Sequence, residues 1–204
     1  MLTERADSRR REAWDAKFKL AQLLTLGVLR FRSTPWLEET LKSSDIHFLE
    51  NKAKGVNRPL SSQAPCLRAR LAQRRTNAQK GLSLSRNETL FNLGVILLEL
   101  GYDAPLQYLR QEEDIQEEGG SLYTDFFTAR RLGLSAVREL DVTYGRLVKK
   151  CLDCDFGVGD DLESVELQNA IVVGIVNELD RCIGVDNHVN NLLGPWTGGE
   201  HFQM

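Results

Sequence analysis

Long apolar runs are missing from this 204-residue chain. Nowhere do about eighteen apolar residues follow one another, which argues against a membrane-spanning helix. The first residues carry Glu4, Arg5, Asp7, Arg9, Arg10, Arg11 and Glu12 and lack the apolar h-region of a secretory leader, so no signal peptide is expected. Cysteine is sparse and scattered (Cys66, Cys151, Cys154, Cys182), and nothing in its use implies an oxidising compartment. The expectation is a reduced, intracellular protein of the cytoplasm.

Acidic residues are absent from 51 to 87, where nine basic ones stand: Lys52, Lys54, Arg58, Arg68, Arg70, Arg74, Arg75, Lys80 and Arg86. From Cys151 to the C-terminus the imbalance reverses, with ten acidic residues against Arg181 alone. The two regions either complement each other within the fold or face partners of opposite sign, and the intramolecular reading is preferred. Aromatic residues are also absent between Leu49 and Leu90. The basic segment therefore offers no stacking platform for single strands, although its cations could track phosphates. It reads as a surface loop able to meet an acidic partner, and a nucleic-acid partner is not expected.

What is present is a densely apolar run. Eight of the eleven residues from Leu90 to Leu100 are large and apolar, and they point all round a helix. Such a helix must be buried on every side. Asn87 is its predicted N-cap and Gly101 its predicted stop, so a central post over about 86–101 is expected. Around it, Trp14, Phe18, Ala21, Leu24 and Val28 recur at spacings of three and four and predict a helix over 10–31, stopped at Ser33-Thr34-Pro35. Ile46-His47-Phe48-Leu49 reads as a short strand or an extended turn. Pro65 opens a short basic helix to about Arg75. Further helices are predicted from Pro105 to about Glu118, from Tyr123 to Leu140, from Tyr144 to Asp153 and from Glu163 to Ile183. The fold class is all-α, with residues 1–12 as a polar segment, 13–184 as the domain and 185–204 as a loose tail.

Chemistry-bearing residues form no convincing set. Cys151 and Cys154 are half of a zinc site or a redox pair on paper, but Cys66, Cys182, His47 and His188 complete it at no suggestive spacing. The three histidines, His47, His188 and His201, come with no nucleophile motif. Glu99, alone in an apolar helix, reads as a structural carboxylate rather than a general acid.

Three pieces in order resemble a protein-kinase C-lobe. Phe91-Asn92-Leu93-Gly94-Val95-Ile96-Leu97-Leu98-Glu99-Leu100 is similar to the central helix that kinases write W-S-L-G-V-I-L-L-E-L. Leu147 to Asp153 is similar to the helix that kinases end with K-C-L-D-P-D-P, and Lys19 to Phe31 occupies the place of the helix before the catalytic loop. Together with Ser33 to Glu39, Asp45 to Phe48 and Cys151 to Gly157, the set resembles a fungal kinase-like domain of unknown function found in heterokaryon-incompatibility and prion-propagation (HeLo-type) proteins.

The resemblance implies a kinase scaffold without its machinery. About fifteen residues precede the matching region, too few for the lobe that carries the Gly-rich loop and the strand lysine. Laying Lys42-Ser43-Ser44-Asp45-Ile46 on the kinase K-P-x-N-I puts Thr40 at the catalytic aspartate and Asp45 at the asparagine. Asp155-Phe156-Gly157 spells the magnesium motif in the wrong place, after the central helix, and reads as a turn. The expectation is a non-enzymatic interaction or regulatory module with a protein partner and no catalytic, cofactor or metal residues. The rivals are a gene fragment without independent activity and a divergent metal-dependent phosphotransferase using Asp45 and Asp155.

Overall fold

A computed structural model describes residues 2–34, 41–48, 65–67, 84–115 and 120–183. The stripe Phe18, Ala21, Leu24 and Val28 is buried along helix α1, Leu2–Phe31. The helix thus begins well before Arg10, and the expected boundary between residues 12 and 13 falls inside it. Residues 9–13 are exposed on every side. The chain leaves α1 with the Thr34 amide and hydroxyl both donating to the Phe31 carbonyl, at 2.9 and 2.7 Å.

Strand β1, Ile46–Phe48, pairs antiparallel with β2, Pro65–Leu67, in the register His47 opposite Cys66. This settles the ambiguous 46–48 segment as a strand. It overturns the helix expected from Pro65, since a proline fixes φ for an extended start as readily as for a first helical turn. The rest of the basic segment, from 68 to 83, lies outside the described residues, as do 49–64 and the tail from 184.

Helix α2, Glu88–Tyr102, is the central post. The Asn87 side chain accepts the Leu90 amide at 2.9 Å, as its N-cap role requires. Gly101 does not stop the helix. It is buried, and a Cβ there would lie 2.7 Å from Leu140, so the glycine serves close packing while Asp103 takes the left-handed cap at φ 53°. Leu90, Leu93, Ile96, Leu97 and Leu98 are all but inaccessible to solvent.

The helix expected from Pro105 is instead two short 3₁₀ turns, Leu106–Tyr108 and Glu112–Asp114. The run Glu112-Glu113-Asp114 suits the first turn of a helix but has no apolar face to hold a longer one. Helix α3, Gly120–Glu139, and helix α4, Val142–Asp153, form an antiparallel hairpin packed on α2. They touch at Gly145, where a Cβ would stand 2.6 Å from the Ala136 carbonyl carbon and oxygen. Tyr144, fully buried, donates its hydroxyl to the Leu97 carbonyl at 2.8 Å and meets Trp14 edge to face, joining α4 to α2 and α1.

The final helical rod runs through α5, Val165–Ile171, a π turn, Val172–Val176, and α6, Asn177–Cys182. Leu167, Ile171, Ile175 and Leu179 are all 0–1% exposed. Four-residue steps overshoot an α-helical turn by about 40° each, so this stripe would wind off the core in a plain helix. The widened π turn, in a Val-Val-Gly-Ile-Val run of poor helix formers, takes up the excess. The described fold is all-α, with one two-stranded ladder. Among the described residues no helix is long and apolar enough to cross a membrane.

Candidate functional site

The C-terminal half of α2 and the middle of α1 do not close on each other. Leu20 and Leu24 of α1, Ile96 and Leu100 of α2, Ile46 of β1 and Pro105 line a groove of ≈ 270 Å³, with Ser43, Glu99, Asp103 and Ala104 at its edge. Among the described residues the lining is mostly aliphatic, because both helices present leucine and isoleucine here.

The carboxylates of the groove are engaged in holding its walls. Glu99 accepts the Leu106 amide at 2.7 Å, capping the first 3₁₀ turn from the helix that precedes it. Asp103 pairs with Lys17 at 2.7 Å. Lys17 also donates to the Gly101 carbonyl at 2.9 Å and lies 4.9 Å over the Trp14 ring. A cation on the last carbonyls of α2 complements that end of its dipole. Glu99 thus makes a structural hydrogen bond at the end of α2.

The other singled-out residues are dispersed. Cys151 and Cys154 are free and buried at the end of α4. Desolvation pushes the Cys151 thiol up to about 12 and raises that of Cys154, so neither is a ready thiolate ligand or nucleophile. Cys154 takes the left-handed position at φ 50°, its amide bonds the Cys151 carbonyl, and the Asp155 amide bonds the Lys150 carbonyl. This is a Schellman ending, and Asp155-Phe156-Gly157 is the turn that follows it. Asp45 closes a 3₁₀ turn and accepts the Lys42 amide at 3.2 Å. His47 is exposed on β1. Thr40, His188 and His201 lie outside the described residues. Among the described residues no three His, Cys, Asp or Glu side chains gather to hold a metal ion.

Sequence reasoning missed a forked ion pair on a buried carboxylate. Asp114 is buried, and Arg131 of α3 grips it with Nε at 2.9 Å from Oδ1 and Nη2 at 2.7 Å from Oδ2. The same Nη2 donates to the Leu109 carbonyl at 2.7 Å, and the Gln111 amide donates to Asp114. The arginine bond holds the Asp114 carboxyl below its ordinary range. Nothing in the run Glu112-Glu113-Asp114 distinguishes the third acid from its neighbours. Gln22 escaped notice for the same reason: it sits buried on the apolar face of α1 and donates to Asp180 at 2.5 Å and to the Val176 carbonyl at the end of the π turn.

Of the nine basic residues between 51 and 87, Arg86 has a described side chain, and it faces Asp160 of the acidic C-terminal region at 3.8 Å. Asn87 also donates to the Asp160 carbonyl at 2.9 Å. Here, among the described residues, the oppositely charged regions meet within the fold.

An all-helical domain built on a sheathed central helix, with an apolar groove and its carboxylates committed to structure, is the class these features define. The chain belongs to the family of the domain of unknown function DUF7580, whose model matches residues 1–183. Neither a curated protein nor a solved structure matches it.

Proposed function

We propose that this chain is a non-catalytic, pseudokinase-type interaction or regulatory module built on a degenerate protein-kinase C-lobe. The observation that carries the reading is the groove: an aliphatic cleft whose carboxylates, Glu99 and Asp103, are tied to the Leu106 amide and to Lys17. Such a cleft offers contact to an apolar side chain of a protein partner and positions no group for proton transfer. The buried α2, whose residues from Leu93 to Leu100 share the kinase-like central-helix pattern while Phe91 and Asn92 depart from it, supports the scaffold part. The Schellman ending before Asp155-Phe156-Gly157 supports reading those letters as a turn rather than a magnesium site. A fungal signalling or incompatibility setting of the HeLo-associated kind rests on the sequence resemblance alone.

A thermal-shift assay with ATP and Mg²⁺ tests the proposal. The expected result is an unchanged Tm across the titration, because a protein gains stability only from what binds its folded state. Reproducible nucleotide-dependent stabilisation overturns the non-catalytic reading and revives a phosphotransferase.

A further inference from the structure

The α3–α4 hairpin carries an exposed stripe on each helix, and the two stripes converge. On α3, Phe127, Arg130, Leu134 and Arg138 follow at spacings of three and four and are all exposed. On α4, Val142, Arg146 and Lys149 do the same. Arg130 and Leu134 share a shallow pocket with Lys149, Leu152 and Asp153, which places the stripes side by side along one flank. Residues at these spacings lie on one helical face.

Two properties of this flank point to an occupant. Its apolar members stand far into solvent, with Leu134 68%, Val142 49% and Phe127 42% exposed. Its charge is one-sided. Arg130 and Lys149 both bond the single carboxylate of Asp153, and Arg138 and Arg146 have no ion pair among the described residues. Four cations thus surround three apolar side chains on a chain of net charge −3. Phosphates would be served by the cations alone. An apolar row framed by arginines is complementary to a helix that alternates leucine-like anchors with carboxylates.

We infer that the α3–α4 flank is a docking surface for an acidic amphipathic helix of a partner protein. Phe127, Leu134 and Val142 take its apolar residues, and Arg138 and Arg146 take its carboxylates. The surface shares no residue with the groove, so the inference stands whether or not the groove reading does.

The probe is a fluorescein-labelled peptide of about three heptads, leucine at a and d and glutamate elsewhere, followed by anisotropy. A matched lysine peptide and a single-stranded oligonucleotide serve as competitors of other chemistry. The expected result is micromolar binding of the glutamate peptide that weakens as salt rises. Amide shifts in an isotope-labelled sample should fall on residues 127–149. The double variant Arg138→Glu with Arg146→Glu, its helicity checked by circular dichroism, should bind at least about ten-fold more weakly. Val165→Ser, at an exposed site away from the flank, should bind as the wild type does. No binding at millimolar peptide overturns the inference. So does equal binding of the lysine peptide, tighter binding of the oligonucleotide, or an affinity untouched by the double variant.

Discussion

On the flank of α2 that meets α3 and α4, Leu152 fills the space over Gly94 and Gly133, where a Cβ would lie 2.8 and 2.6 Å from its side-chain carbons. On the flank that meets α1, Leu20, Leu24, Ile96 and Leu100 stand back from one another around ≈ 270 Å³ of open groove. The same helix, apolar all round, is thus closed on one side and left open on the other. The difference lies in what sits at the crossings. Glycine at 94 and 133 makes room for the one leucine that seals the joint, and glycine at 145 lets the α4 and α3 backbones touch, whereas branched side chains line both walls of the groove. A fully apolar helix therefore does not imply a fully occupied surround, and an interaction site can lie within reach of the core without any polar marker in the sequence.

The sharpest way to break this contrast is Gly145→Val. Its new atoms would run into the Ala136 carbonyl and the Val137 amide, both main chain and unable to move aside. A loss of about 4 kcal/mol or more is expected in urea melts, with cooperative unfolding impaired. Next comes a paired measurement. Leu152→Ala empties the sealed joint and should cost about 3 kcal/mol, whereas Leu100→Ala, at the groove, should cost about 1 kcal/mol. Equal losses at the two positions would erase the distinction between the flanks.

A further test concerns the clip at the edge of the closed flank. Arg131→Met leaves Asp114 buried without its guanidinium and should cost about 2 kcal/mol at neutral pH. The sign of the pH dependence follows from the lowered Asp114 pKa. Stability from the pair is present above the carboxyl's unfolded value and is lost as pH falls through the folded one. Denaturation midpoints compared between neutral pH and about pH 3 should therefore converge for wild type and variant on the acid side. A constant gap would show that Asp114 does not titrate against Arg131.

Periodicity made the helical elements legible wherever an apolar stripe fixed them: α1 from Trp14 onward, α2 with its Asn87 cap, and the hairpin α3–α4. It failed where local chemistry was ambiguous. Pro65 suits a strand as well as a helix start, and Glu112-Glu113-Asp114 is acidic enough for a helix N-terminus yet has nothing apolar to anchor it. Gly101 read as a stop because glycine ends many helices, while its role here is to let Leu140 and Tyr144 come close. The groove was illegible because it is an absence between two elements, and no residue announces a space. The grip of Arg131 on Asp114 was hidden because its partners are separated in sequence and neither stands apart in composition.

Tyr144 and Cys151 lie together in the sealed interior, and burial raises the pKa of both, Tyr144 well above its ordinary 10.0 and Cys151 to about 12. Their neutral forms are what the interior accepts. Below the unfolded values of these groups the fold owes them nothing in protons. Above those values the unfolded chain sheds protons that the folded one must keep, so stability drains away as pH climbs toward the folded values. The seam between the packed helices thereby gives the protein an alkaline ceiling, set by a phenol and a thiol that lie outside the groove.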